Sequence, residues 1–238
     1  GDGTVVADGG SSESHTYAAD GDYDVSLTVT DDQGATDTTT TTVTATDPGG
    51  GTTTPAVFRA ASSSTMNSLV PSVVVPGAVQ AGDQLVLVVT ANRNTTIAAP
   101  AGWTLLGSEQ DGDTAANPSM TSAVFTTTAG AGTAGSRITA SLGARSKTAV
   151  NLVAYSGAEV VTEASSSVLE ALSAQLTTPA ITVAQDDTTV VSYWSNKTSG
   201  NDGWVVPVEV TERGASIGIG TGRITAAIGD RVVAAGAW

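Results

Sequence analysis

Apolar and polar positions alternate with a period of two through much of this chain, the mark of strands with one buried and one wet face. Tyr23, Val25, Leu27 and Val29 alternate with Asp22, Asp24, Ser26, Thr28 and Thr30. Asp31-Asp32-Gln33-Gly34 supplies turn chemistry. A Thr-rich strand then runs through Thr38 to Thr46, with Val43 its one large apolar residue, so the turn joins two antiparallel strands. Further on, the pattern predicts strands at Val57–Ala61, Ser72–Val75, Gln84–Ala91, Thr104–Ser108, Ser122–Thr128, Arg137–Leu142, Ala149–Ser156, Ala180–Ala184, Thr188–Ser195, Val205–Val210, Ser216–Ile219, Ile224–Ile228 and Arg231–Ala235. Turn signals separate them, as in a sandwich or jelly roll. Gln84–Val89 is a near-continuous apolar run suited to a central strand, fed by a tight turn at Ala81-Gly82-Asp83. One segment departs from this period. Ser167-x-x-Glu170 matches a capping box, and Val168, Leu169, Leu172 and Leu176 follow helical spacing, which predicts one short helix; a crossing loop with apolar anchors is the alternative.

Composition supports the same class. Forty per cent of residues are apolar, enough for a core, and 27 glycines and 8 prolines fit many turns. Thr and Val suit pleated strands. Asp47-Pro48-Gly49-Gly50-Gly51-Thr52-Thr53-Thr54-Pro55 reads as a linker. The expected organisation is a short module over 1–46, a Gly/Thr/Pro linker over 47–56, and an antiparallel jelly-roll-like β-sandwich over 57–238. The abrupt ends at Gly1 and Trp238 predict that both modules are cut.

Gly1-Asp2-Gly3-Thr4, Ser14-His15-Thr16-Tyr17 and Gly21-Asp22-Tyr23-Asp24-Val25-Ser26-Leu27-Thr28-Val29-Thr30-Asp31 occur in order. Together they resemble the PKD domain, an immunoglobulin-like β-sandwich common in exported proteins. The resemblance implies that residues 1–46 are the C-terminal half of such a domain, with Tyr23 in its core and Asp22 and Asp24 outward. A half-sandwich leaves open edges and an exposed apolar face, so this piece is expected to be marginal alone. Ala81-Gly82-Asp83-x-Leu85-Val86, Pro100-Ala101-Gly102-Trp103-Thr104, Ala154-Tyr155-Ser156-Gly157 and Ser192-Tyr193-Trp194-Ser195-Asn196-Lys197 resemble uncharacterised sandwich modules of exported high-GC bacterial proteins that accompany PKD domains. Both resemblances imply a secreted or cell-surface protein.

Charge narrows the partners. The net charge is −14, and residues 1–58 hold ten acids and no Lys or Arg. Such a field repels phosphate backbones and anionic membranes, so nucleic acid is excluded as a partner. No apolar run is long enough to span a bilayer. The absence of cysteine removes disulfides and thiolate sites without arguing against export.

The inventory for catalysis is thin. The sole histidine, His15, lies in the first module, so no Ser-His pair exists in the second. Lys147 and Lys197 sit near strand ends, exposed rather than desolvated. Glu109, Asp111 and Asp113 alternate, as do Asp20, Asp22 and Asp24. These are the places where Ca²⁺ would be held, but the full calcium-loop spacing is missing and a solvated acidic loop is the simpler reading. No motif demands another cofactor. Gly218-x-Gly220-x-Gly222 lacks the context of a phosphate loop and reads as strand bends or a turn.

The strongest binding signal is aromatic. Tyr193, Trp194 and Trp204 flank a polar loop containing Asn196 and Asn201, the groups with which proteins stack and hydrogen-bond sugars. Packing of Trp194 beside Val190 and Ser192, with Trp204 anchoring the loop and Trp103 packing likewise, is the favoured reading of these rings, and Lys197 or Arg213 lying over a Trp would likewise be support rather than a site. The sequence therefore predicts a non-catalytic extracellular accessory region that spaces and presents other domains of the same polypeptide and offers loops for adhesion or recognition, with a polysaccharide or cell-surface glycan as the candidate partner. A carbohydrate-binding module and, further off, a carboxylate-based glycosidase or lyase are the alternatives.

Overall fold

A computed structural model describes residues 3–6, 15, 17, 21–45, 55–110, 119–158, 175–200 and 203–238. These residues form antiparallel β-structure without a helix. The chain divides into two units, Gly1–Thr53 and Thr54–Trp238.

In the first unit, β1 (Gly21–Thr30) and β2 (Thr36–Ala45) pair antiparallel. Asp31 closes the turn: its carboxylate accepts from the amides of Gln33 and Ala35, and Gly34 takes φ +85°. Period two sorts the faces. On one, Asp22 accepts from Thr44 (2.7 Å) and Asp24 from Thr42 (2.8 Å), while Ser26 meets Thr40 and Thr28 meets Thr38. On the other, Tyr23 stacks on Tyr17 with centroids 4.1 Å apart, and His15 meets Tyr17 edge-on. Val25, Leu27, Val29 and Val43 remain exposed beside them. Tyr23 itself is half-buried.

The second unit contains β3 (Val57–Ser68), β4 (Ser72–Val74), β5 (Gln84–Ala91), β6 (Ile97–Ala98), β7 (Thr104–Gln110), β8 (Thr121–Thr128), β9 (Arg137–Thr139), β10 (Ser141–Leu142), β11 (Ser146–Ser156), β12 (Thr182–Val183), β13 (Thr188–Thr198), β14 (Thr211–Ile217), β15 (Arg223–Val233) and β16 (Gly236–Ala237). A five-stranded sheet in the order β3-β11-β5-β8-β7 packs against a three-stranded sheet, β13-β15-β14. Small pairs β4-β9, β6-β10 and β12-β16 flank them.

The near-continuous apolar run of β5 is explained by burial on both faces. Leu85, Leu87 and Val89 join Phe125, Val150 and Leu152 in one core, which Val73, Val75, Ile138 and Trp103 cover. Val86 and Val88 point the other way, to Val153, Tyr155 and Ile228. The five-stranded sheet is thus a middle layer, and β5 and β11 have no wet face.

Several predicted elements differ. Val205–Val210 is not a strand: Val205 and Val208 are 98% and 94% exposed, and Pro207 accepts a turn hydrogen bond from the Val210 amide. Ile224–Ile228 and Arg231–Ala235 are one strand, β15, passing through Gly229-Asp230. Arg137–Leu142 divides into β9 and β10. The helix expected from Ser167 falls almost wholly outside the described residues.

Candidate functional site

The layer between the two sheets of the second unit is unusually polar. Asp230, on β15, is 4% exposed. Its Oδ2 accepts from the Tyr155 hydroxyl of β11 at 2.6 Å and from Arg213 Nε of β14 at 2.8 Å. Arg213 reaches inward because it is the extra residue of a β-bulge between Glu212 and Gly214. Its guanidinium lies over Phe58, 4.2 Å from the centroid, and Phe58 meets Tyr155 edge-on. Burial, then the hydrogen bond and charge of Asp230, hold the Tyr155 phenol far above its ordinary range. The bond to Asp230 likewise pushes Arg213 further up.

A second network lies closer to the other end of the same layer. Thr90 contacts both Ser122 (2.8 Å) and the Tyr193 hydroxyl (2.9 Å), and Asn151 Nδ2 donates to Ser216. Burial pushes the Tyr193 phenol up to about 12, against the lowering effect of hydrogen bonds with Thr90, Ser195 and Asn151. Both networks tie one sheet to the other.

Of the five residues expected to hold a sugar, four are described, and Tyr193 and Trp194 lie on opposite faces of β13. Tyr193 points between the sheets. Trp194 points to the opposite face of β13 and is 7% exposed, so one ligand cannot stack on both rings. Asn196 pairs with Thr225 on β15 and is half-buried. Trp204 is half-buried, with its indole Nε1 enclosed and without a hydrogen-bond partner. Asn201 lies outside the described residues. The aromatic–cation contacts of the unit are Arg213 over Phe58 and Arg231 over Trp238. Glu109 belongs to β7 and pairs with Ser122, whereas Asp111 and Asp113 lie outside the described residues. Among the described residues no three His, Asp or Glu side chains are grouped to hold a metal.

Gly218–Gly222 is the β14–β15 turn, with Gly220 and Gly222 at φ +71° and +65°. Lys147 clamps it: its Nζ donates to Ile219 O (3.0 Å) and Thr221 O (2.6 Å). Asn92 adds a third tie, donating to Gly222 O while its Oδ1 accepts from Ser146 Oγ and the Lys147 amide. Nothing in the sequence pattern announced Asn92; its partners lie 54 to 130 positions away.

Strand direction gives the unit two distinct ends. The chain comes in at Ala56, whose carbonyl accepts from Thr189 Oγ1. Thr189 pairs with Val232. Trp238 pairs with Ile181, donates its Nε1 to Ala234 O and lies under Arg231. Ala56, Val232 and Trp238 therefore gather at one end of the unit, the base. The turns at Arg93, Ala144 and Gly220 lie at the other.

Residues 1–46 match the PKD domain family. PKD domains are non-catalytic, extracellular-type β-sandwich domains found in adhesion and accessory regions. No curated protein and no solved structure matches the chain. No helix among the described residues is long and apolar enough to cross a membrane.

Proposed function

We propose that this chain is a non-catalytic accessory region of a secreted or cell-surface protein, in which the second unit presents its remote loops for recognition of a polysaccharide or glycan. The observation that carries this reading is that Ala56, Val232 and Trp238 gather at one end of the second unit while the turns at Arg93, Ala144 and Gly220 lie at the other. The polar groups between the sheets support a structural role, since Asp230, Tyr155, Arg213, Thr90 and Tyr193 spend their hydrogen bonds on one another.

Attachment without turnover is the expected behaviour. Beads coated with the full chain should adhere to polysaccharide-coated surfaces better than bare beads, and the same polysaccharides should release no new reducing ends. Release of reducing ends, or adhesion no better than that of bare beads, would contradict the reading.

A further inference from the structure

Asn151 stands in the middle of β11, facing the three-stranded sheet, and one end of its amide is stranded. The residue is fully buried. Its Nδ2 donates to Ser216 Oγ at 3.3 Å, whereas its Oδ1 is enclosed and finds no hydrogen-bond donor among the described residues. A buried acceptor left in that condition bears its whole desolvation cost, so such groups in folded proteins are met by protein or by water. Turning the amide over would exchange the two atoms and strand Nδ2 in place of Oδ1. The deficit therefore belongs to the place and not to the orientation of the amide.

Small side chains surround it. In register, Asn151 lies between Ser63 of β3 and Val88 of β5. On the facing sheet, Ser195, Ala226 and Ser216 form one row across β13, β15 and β14. Ala226 packs with Ala149, the neighbouring inward residue of β11. Only Val88 among these is larger than serine. An apolar void of this kind stays dry, but hydroxyls line this one. Tyr193 hydrogen-bonds Thr90, Ser195 and Asn151, and Ser63 donates to Ala215 O. The lining is also neutral: Asp230, further along β15, is paired with Arg213.

We infer that the layer between the sheets holds an enclosed water on Asn151, donating to the stranded end of the amide and bonding the hydroxyls of the facing row. Neutral groups that donate and accept in turn select a small neutral molecule that does the same, not an ion, and a buried water makes about three such bonds. The water adds a third polar tie between the sheets, beside the Asp230 and Thr90–Tyr193 networks. It also accounts for an asparagine at a position whose neighbours along the inner face of β11, Ala149 and Val153, are apolar and fully buried.

This inference is independent of the accessory reading, since a chain that binds no saccharide would hold the same water. Oxygen-17 relaxation dispersion of the solvent counts the long-lived enclosed waters of the full chain. Asn151→Leu keeps the branched outline of the side chain and removes both polar atoms. The parent should hold one more enclosed water than this variant, and the variant should still melt in a single transition. An equal count in the folded variant overturns the assignment. If Asn151→Leu does not fold, the crystal structure of the unaltered chain decides. An ordered oxygen within about 3.2 Å of the stranded amide atom is expected; protein atoms closing directly on that atom, with no oxygen between, would overturn the inference.

Discussion

Asp230 shows what a buried charge demands of its neighbours. An enclosed carboxylate is tolerable only when hydrogen-bonded and paired, and here one oxygen takes both Tyr155 and Arg213. Arg213→Met leaves the acid with a single partner. Because the Arg213 side chain is about a quarter exposed, the expected loss is at the low end of the usual range, about 3 kcal/mol, measurable by denaturant unfolding. The two raised phenols make a separate prediction. A phenol whose folded pKa exceeds its unfolded value of about 10 contributes its stability in full below pH 10 and loses it as pH rises through the folded value. For Tyr193 the loss runs from about pH 10 to about 12. The melting temperature should therefore fall across that interval, and Tyr193→Phe should flatten part of the fall. An unchanged profile in that variant would place the Tyr193 hydroxyl in water. None of these contacts was legible in the sequence. Gly229-Asp230 carries the signature of a turn, yet Gly229 is there because a Cβ would meet Val210 at 2.6 Å and the Thr211 carbonyl at 2.7 Å. The glycine permits a close approach, and the aspartate is buried by partners 17 and 75 positions away.

Strands were read best where burial is simplest. Gln84–Ala91 matches β5 to the residue because both of its faces are apolar and turns bound it. Thr188–Ser195 and Ala149–Ser156 fell short of β13 and β11 because the added ends are polar and continue the ladder through backbone bonds alone. Val205–Val210 was misread because alternation without burial is not a strand, and Pro207 within it was the contrary signal. Leu87 is fully buried in the core that β5 shares with Phe125 and Leu152, so Leu87→Ala should cost about 3 kcal/mol in urea unfolding. In the first unit, two strands with Val25, Leu27 and Val29 exposed bury too little to be stable alone. The amides of β1 and β2 should exchange with solvent far faster than those of β5 and β11. Equal protection would mean that this hairpin has an apolar cover.

At the scale of the whole second unit, strand direction decides which turns and termini of strands share an end. Period-two patterning made the sheets predictable, but not which strand ends share an end of the unit, because that depends on pairings such as Thr189 with Val232 and contacts such as Ala56 with Thr189. The central claim is that Ala56, Val232 and Trp238 share one end of this unit, opposite the turn at Gly220. The chain has no cysteine, and Val57, Val232 and Ile219 are exposed, so paired spin labels can be introduced cleanly. Electron-spin distance measurement should give roughly 15 Å or less between backbone positions 57 and 232, and on the order of 30 Å between 57 and 219. A separation of 57 from 232 as long as that of 57 from 219 would contradict the account.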